Sequence, residues 1–411
     1  MTIRTRAALA GTLLLVTGTA CSADPAPGPS TESLDSDDHG EVAGAQEVAE
    51  PQLHLVTIAP DGAVGMLDLL TEEAGDLDQV GAPSAVATDG RYVLATVPGG
   101  VDVVDSGAWT WDHGDHFHYY RAEPRALGTV AGTGPATIAT GPLSTAGGTG
   151  VFFEETGEAV LLDNAALARG AVEETFRLEA EPHAGLVAPF ADGAVVSVPD
   201  GSGGAGEVEL VGADGEPVDG FREECADASG TITTVVGLVV GCADGALLWT
   251  YDDGEPAVER IAYPDGLVAP PARTFDARKG RPTVAALAGR TGFWLLDTRE
   301  RSWDLVETGT PLVAVSASDD ADGHVVALDR SGRVRVYAAG SGEQLAATGP
   351  LLAGSLRDDA AQVGLVVDQG RAYVNAPADG VVLEIDYADG ARIARRLETQ
   401  PAPAFFAETG R

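Results

Sequence analysis

Short runs of alternating apolar and polar residues dominate the chain from residue 53 onward. Groups of such runs lie at residues 53–68, 84–105, 150–163, 283–297, 313–337 and 364–386. Alternation with a period of two is the pattern of a β-strand with one buried face. Asp-Gly dipeptides, which supply the positive φ angles of tight hairpins, occur at residues 61–62, 89–90, 192–193, 244–245, 322–323 and 379–380. No helical periodicity of useful length competes, so the pattern predicts an all-β protein.

The groups of strands repeat with a period of roughly 35–48 residues, the length of a β-propeller blade. Seven nearly complete units are predicted to begin at Ser84, Ala136, Ala184, Thr231, Thr283, Val313 and Gly364. An eighth unit is split, because residues 53–79 lack a first strand that residues 403–409 could supply. The sequence therefore predicts an eight-bladed β-propeller over residues 53–411, closed by pairing of the N- and C-terminal strands. Seven blades are the alternative.

The first 52 residues differ in composition from the propeller. Residues 1–20 combine positive residues with a short apolar stretch, which is typical of an export signal. Small residues before Cys21 resemble the end of a bacterial lipoprotein signal, so we predict that Cys21 is lipidated; an ordinary cleaved signal is the alternative. Residues 21–52 are rich in Pro, Ala, Ser and acidic residues, which predicts a disordered tether. The protein is therefore expected to be extracytoplasmic and anchored to the cell membrane as a lipoprotein.

The net charge of the chain excludes one class of binding partner. The chain of 411 residues carries 63 acidic and 25 basic residues, a formal net charge of −38. Such a surface repels nucleic acid and anionic lipid, which excludes nucleic acid as a partner and leaves the lipid anchor as the expected contact with the membrane. The same charge concentrates cations near the protein. A closed propeller has no free sheet edge, so a monomer is expected.

Metal-ligating residue types are concentrated in one stretch. Three of the seven histidines, His113, His116 and His118, lie within six residues, together with Asp115. Imidazole nitrogen and carboxylate oxygen are ligands that suit Zn²⁺, and on a strand His116 and His118 would share one face. His183 is predicted to lie where an innermost strand begins, near the channel. The sequence thus predicts a zinc site of His116, His118 and His183, completed by Asp115 or His113. A polar surface loop, and a hydrogen-bonded channel histidine at 183, are the alternatives.

The remaining histidines and cysteines add one structural prediction. Cys225 and Cys242 fall in what the pattern treats as one unit, and a pair of thiols in an exported protein usually forms a disulfide. His39 lies in the predicted tether. This segment is either an arm that collects metal ions or a solvated acidic tail, and the sequence leaves both alternatives open. His324 is expected to be structural, and His54 has no assigned role. There is no Gly-x-Ser-x-Gly elbow and no P-loop.

The sequence resembles a known family, the extracytoplasmic β-propeller zinc metallochaperones encoded with zinc ABC transporters (AztD-like proteins). The resemblance is carried by residues 113–125 (HGDHFHYYRAEPR), 181–183, 195–200, 224–225 and 241–245. It implies a propeller that binds zinc and passes it directly to the solute-binding protein of the transporter. It also implies a zinc-site role for His116, His118 and His183, with His113 and Asp115 beside them.

The chain departs from the pattern expected of that family at two places. Residues 135–138 and residues 226–230 lack the histidines that the resemblance leads us to expect, which puts one of the family's zinc sites in question. The leading hypothesis is a membrane-tethered zinc chaperone that is not an enzyme. The alternatives are a metal-free propeller that binds other proteins, and a zinc-dependent hydrolase or lyase with Glu123 or Asp112 as its base.

Overall fold

The computed structural model describes residues 40–112, 116–252, 254–358 and 362–411. Within these ranges the chain forms eight four-stranded antiparallel sheets and one three-stranded sheet. The helical segments are α1 (Asn164–Arg169), α2 (Ser355–Asp358) and a 3-10 turn at Pro377–Asp379. No helix in the described ranges is long and apolar enough to cross a membrane. The predictions for the signal peptide, Cys21, His39, His113 and Asp115 concern residues outside these ranges.

The strands follow the chain in order. The first twelve are β1 (Gln46–Val48), β2 (His54–Ile58), β3 (Ala63–Asp68), β4 (Ala74–Gln79), β5 (Ala85–Thr88), β6 (Tyr92–Val97), β7 (Gly100–Asp105), β8 (Ala108–Asp112), β9 (Phe117–Arg121), β10 (Arg125–Ala131), β11 (Ala136–Thr140) and β12 (Gly148–Phe153). The next twelve are β13 (Glu158–Asp163), β14 (Glu174–Glu179), β15 (Val187–Phe190), β16 (Gly193–Pro199), β17 (Ala205–Val211), β18 (Pro217–Glu224), β19 (Thr231–Thr233), β20 (Leu238–Cys242), β21 (Gly245–Asp252), β22 (Glu255–Ala262), β23 (Phe275–Asp276) and β24 (Thr283–Leu287). The last eleven are β25 (Gly292–Asp297), β26 (Ser302–Glu307), β27 (Leu312–Ala317), β28 (His324–Asp329), β29 (Val334–Ala338), β30 (Gln344–Ala347), β31 (Leu365–Asp368), β32 (Arg371–Ala376), β33 (Val381–Asp386), β34 (Arg392–Glu398) and β35 (Phe405–Thr409).

The eight four-stranded sheets are the blades of a β-propeller, as the sequence predicts. Blade 1 has the strand order β35-β2-β3-β4 and blade 2 the order β5-β6-β7-β10. Blades 3 to 8 each consist of four consecutive strands, from β11–β14 to β31–β34. The first strands of neighbouring blades contact one another, as β35 does with β5 and β27 with β31, so these strands lie innermost.

Closure of the ring joins the two ends of the propeller sequence. Strand β35 pairs antiparallel with β2 over five residue pairs, from His54 opposite Thr409 to Ile58 opposite Phe405. The split blade therefore receives its innermost strand from the C-terminal end, which confirms the predicted closure. Pairing across this seam gives β2 a partner on its inner side.

The blades pack face to face through their middle strands. All residues of β6 and β12 are buried, because each of these strands is covered by a neighbouring blade on both faces. Between blades 2 and 3, Leu94 and Val103 belong to the same apolar cluster as Val151 and Val160. Burial on both faces explains why these strands read as nearly continuous apolar runs.

Blade 6 begins earlier than the sequence predicts. Its innermost strand is β23, which is only two residues long and pairs with Ala285 and Ala286 of β24. Thr283, predicted to open the unit, instead begins the second strand. That prediction is wrong because two residues are too short to show an alternating pattern.

The disulfide joins two blades rather than lying within one. Cys225 and Cys242 are bonded, with their Cα atoms 5.0 Å apart, which confirms the predicted pair. Cys225 directly follows β18, the outer strand of blade 4, whereas Cys242 ends β20, the second strand of blade 5. The sequence pattern places both cysteines in one unit. Alternation indicates where strands lie, but it does not show which loop connects one blade to the next.

Part of the predicted tether has regular structure. Residues Gln46–Val48 form β1, which pairs antiparallel with β9. Part of the segment predicted to be a disordered tether is therefore a strand, whereas the first blade strand of this region, β2, begins at His54. Composition predicts little burial for this segment, and β1 is largely exposed. Backbone pairing with an available strand edge does not depend on composition, so the composition of residues 21–52 does not indicate this strand.

Candidate metal centre

His116 directly precedes, and His118 lies on, the second strand of a hairpin inserted into blade 2. Strands β8 and β9 leave the blade after β7 and return the chain to β10, and with β1 they form the three-stranded sheet β1-β9-β8. In this hairpin Trp109 lies opposite Tyr120 and Trp111 opposite His118. Side chains alternate between the two faces of the sheet, so these four residues share one face.

A buried tryptophan fixes the base of the hairpin to the propeller. Trp109 is 1 % exposed, and its ring stacks on Tyr120 with centroids 5.2 Å apart. The guanidinium of Arg91 lies 3.8 Å from the centroid of the Trp109 ring, a cation–π contact. Arg91 in turn donates two hydrogen bonds, of 2.9 and 2.8 Å, to Asp105 in the same blade. The buried ion pair with Asp105 thus keeps the guanidinium of Arg91 in contact with the Trp109 ring.

The N-terminal segment crosses the same face of the hairpin. The indole N–H of Trp109 donates to the carbonyl oxygen of Gly40 at 3.1 Å. Gly40 has φ +72°, and a Cβ atom there would lie 2.3 Å from Cε3 of Trp111, so only glycine fits. The chain then reaches β1, whose Glu47 lies opposite Tyr120.

His116 and His118 face each other across a short gap. Their Nε2 atoms are 2.9 Å apart, and their ring centroids are 4.7 Å apart. Two nitrogens bound to one tetrahedral zinc ion lie about 3.3 Å apart, since each Zn–N bond is about 2.0–2.1 Å. To bind the same ion, the two Nε2 atoms would separate by a few tenths of an ångström, and the hydrogen between them would be lost so that each nitrogen offers a lone pair.

Glu47 fixes the tautomer of His118. Its Oε1 atom lies 2.7 Å from Nδ1 of His118. An ionised carboxylate only accepts, so Nδ1 of His118 carries the hydrogen. In the neutral ring Nε2 then holds a lone pair, and His116 donates its Nε2–H to it. A carboxylate behind one histidine nitrogen, with the other nitrogen aimed at a metal position, is a common arrangement in zinc sites. Sequence reasoning missed Glu47 because it lies in the segment predicted to be a tether.

His183 does not join this pair. It is 3 % exposed and lies between β14 and β15, where Nδ1 contacts the carbonyl oxygen of Glu181 at 2.7 Å and Nε2 contacts Oγ of Ser197 at 2.9 Å. The edge of its ring also packs against Phe152, with centroids 4.7 Å apart. Both nitrogens are therefore used by the protein, as the alternative of a hydrogen-bonded channel histidine expects.

No group of three or more His, Cys, Asp or Glu is arranged to hold a metal ion within the ranges that the structure describes. Of the predicted ligands, the structure brings together His116 and His118 and places His183 elsewhere. His113 and Asp115 lie outside the described residues, so their part in the site stays a prediction.

The two other described histidines have structural contacts. His54, which opens β2, contacts the carbonyl oxygen of Gln52 through Nδ1 at 2.8 Å. His324 contacts Oδ2 of Asp320 through Nδ1 at 2.6 Å, and its backbone N–H donates to Oδ1 of the same residue. The contact with Asp320 fits the structural role expected of His324.

Comparisons with known proteins bear on the fold. No family model and no curated protein sequence matches the chain. Among solved structures, the crystal structure of Citrobacter koseri AztD is similar with a TM-score of 0.74 and 21 % identity over 88 % of this chain and 98 % of that one. The structure of apo AztD from the same organism gives a TM-score of 0.75 and 20 % identity, with the same coverage. The chain therefore has an AztD-like β-propeller fold.

A more distant structural similarity shows that this architecture also occurs in an enzyme. The dihydro-heme d1 dehydrogenase NirN has a TM-score of 0.51 and 16 % identity over 88 % of this chain and 79 % of that one. A propeller fold alone therefore does not decide between a chaperone and an enzyme, and the function has to be argued from the site.

Proposed function

We propose that this AztD-like propeller is an exported zinc metallochaperone, which holds zinc and passes it to the solute-binding protein of a zinc ABC transporter. The observation that carries the proposal is the 2.9 Å separation of the Nε2 atoms of His116 and His118. The two nitrogens are close enough that a small separation would let them bind one ion, and they lie on a hairpin outside the blades.

The proposed ligands suit a zinc ion that is passed on to another protein. Two imidazoles supply two of the four ligands of tetrahedral zinc, and we propose His113 and Asp115, which precede them directly in sequence, as further ligands. His116 is exposed, so the site is open to a second protein. An ion held on an exposed hairpin can be passed on without opening the propeller core.

Two further features agree with the proposal, the disulfide with an extracytoplasmic location and the net charge with the binding of a cation. The disulfide between Cys225 and Cys242 suits an oxidising compartment. The net charge of −38 attracts cations to the protein surface. We further propose that Cys21 carries the lipid that anchors the protein to the cell membrane, that the protein is a monomer and that it is not an enzyme.

A metal-free interaction module is the second candidate. It is favoured by Phe117, whose ring is 55 % exposed and stacks on Tyr119 with centroids 6.5 Å apart. An exposed aromatic pair of this kind can contact a partner protein. A partner that binds equally well in the presence of a chelator would favour this candidate over the chaperone.

Zinc titration against a competing chromophoric chelator tests the proposal. The purified protein is expected to bind zinc tightly and in stoichiometric amount, and the double variant His116→Ala/His118→Ala to lose this binding. Circular dichroism of the variant should match that of the original protein. Unchanged binding in a folded double variant would overturn the assignment.

A further inference from the structure

Glu47 reaches His118 from a strand that is weakly attached. Strand β1 pairs with β9 through three residue pairs, Gln46 with Arg121, Glu47 with Tyr120 and Val48 with Tyr119. Gln46 and Glu47 are exposed, and Val48 is only partly buried. No residue of β1 belongs to the buried core of the described ranges.

Such a strand can open without disturbing the propeller. Edge strands with few hydrogen bonds and no buried apolar side chains have the lowest free energies of local unfolding in a protein. The segment is held more firmly at both of its ends. Gly40 is bonded to the indole of Trp109, and at the other end Leu53 leads into the fully buried β2. Residues 41–52 therefore form a strap over the hairpin, and β1 is its only strand.

Opening of the strap removes the contact between Glu47 and His118. With β1 in place, Glu47 holds the ring orientation and keeps the hydrogen on Nδ1, so that Nε2 is the nitrogen left for a metal ion. With β1 detached, the ring loses the carboxylate that orients its Nδ1 side. Loss of such an outer carboxylate typically lowers metal affinity about 10–100-fold.

We propose that Glu47 positions His118 for metal binding and that detachment of β1 is the step that releases the ion. This inference rests on the proposed function, because it requires that the pair of histidines binds zinc. Glu47 acts as a positioning residue through His118 and is not itself a ligand.

Substitution of Glu47 tests the positioning role, with zinc(II) ions as the probe. Glu47→Ala should weaken zinc binding about 10–100-fold and speed zinc release to an excess of chelator. Glu47→Gln keeps a carbonyl acceptor for Nδ1–H and should restore part of the affinity. Glu50→Ala is the matched control, since it removes the same charge from an exposed residue of the same strap and should change neither quantity.

A cross-link tests the release step. Gln46 and Arg121 are exposed Cα partners across β1 and β9, so the variant Gln46→Cys/Arg121→Cys can tie the strap down. The oxidised variant should release zinc several-fold more slowly than its reduced form. The original protein, treated with the same oxidant and reductant, controls for the disulfide between Cys225 and Cys242.

The outcomes separate the two proposals. Absence of zinc binding in the original protein would overturn the proposed function, and with it the proposed role of the strap in zinc release. If the original protein binds zinc while Glu47→Ala matches Glu50→Ala, the positioning role is wrong and the proposed function stands. Equal release rates for the oxidised and reduced cross-link variant would overturn the release step.

Discussion

Oε1 of Glu47 lies 2.7 Å from Nδ1 of His118, although the two residues are 71 positions apart in the chain. The contact links the N-terminal strap to the hairpin and leaves Nε2 of His118 aimed at Nε2 of His116. A propeller needs neither element to close, since the eight blades pair without β1, β8 or β9. The three-stranded sheet is therefore an addition to the propeller, and we propose that it carries the function.

Trp109 should be required for both the hairpin and the metal site. Trp109→Ala removes the stack on Tyr120, the cation–π contact with Arg91 and the hydrogen bond to Gly40. Truncation of a buried tryptophan typically lowers the free energy of unfolding by about 3–5 kcal/mol. We expect a loss of this size in urea unfolding, together with weaker zinc binding in titration.

Trp303→Ala is the matched control for that experiment. Trp303 is also buried, at 5 % exposure, but lies on β26 in blade 6, where its indole N–H donates to the carbonyl oxygen of Ile261. The Trp303→Ala substitution should lower the free energy of unfolding to a similar extent and leave zinc affinity unchanged. Equal loss of zinc binding in both variants would mean that Trp109 acts through global stability alone.

His183 should prove to be structural. His183→Ala removes the hydrogen bonds of a buried ring to the hydroxyl of Ser197 and the carbonyl of Glu181, which is expected to lower stability by about 1–3 kcal/mol. The number of zinc ions bound, measured by titration at a temperature where the variant is folded, should not change. Loss of a bound zinc ion from folded His183→Ala would instead support the ligand set predicted from the sequence.

Removal of the disulfide should lower stability without affecting zinc. Cys225 and Cys242 are separated by 17 residues, and closing a loop of about this size is typically worth about 3 kcal/mol. Cys225→Ser/Cys242→Ser is therefore expected to unfold at lower urea concentration. Its zinc affinity should equal that of the original protein, because the bond joins blades 4 and 5 and the hairpin belongs to blade 2. A change in zinc affinity at full folding would contradict this separation.

Glu408 should make the protein less stable in alkaline solution. It lies on the innermost strand β35, is 0 % exposed, and burial raises its pKa from the ordinary 4.5 to about 8, although Arg411 nearby lowers it. The folded protein thus retains a proton that the unfolded chain loses above pH 4.5. Between about pH 4.5 and pH 8 the stability therefore falls as pH rises.

Replacement by an amide tests this expectation. Glu408→Gln should raise the melting temperature at pH 9, where the original protein must hold or neutralise a buried charge, and should have a much smaller effect at pH 5. Glu398→Gln, on the exposed position of β34, is the control and should show no such pH dependence. An equal shift at both pH values would argue against a raised pKa of Glu408.

The blade architecture could be predicted because it repeats. Alternation and Asp-Gly turns indicate strands and hairpins locally, and eight repetitions of the same unit give the ring, including the strand at 405–409 that closes it. The start of blade 6 was missed because β23 has only two residues. The pairing of Cys225 with Cys242 was predicted correctly, but its position between blades depends on where one blade ends and the next begins.

The site could be predicted only in part. The expectation that residues two apart on a strand share a face brings His116 and His118 together, and the two rings are neighbours in the structure although His116 directly precedes β9. The contributions of Glu47, Trp109 and Arg91 depend on contacts between distant segments, and no local pattern indicates them. His183 carried the right chemistry for a ligand, but its hydrogen bonds to Glu181 and Ser197 are visible only in the fold.

The most direct test of the account is competitive zinc titration of the original protein and of His116→Ala/His118→Ala, each checked for folding by circular dichroism. We expect one tight equivalent of zinc in the original protein and no competitive binding in the double variant. Equal zinc binding by the two proteins would contradict the central claim, because the ion would then be held elsewhere. No binding by either would leave the interaction module as the better account.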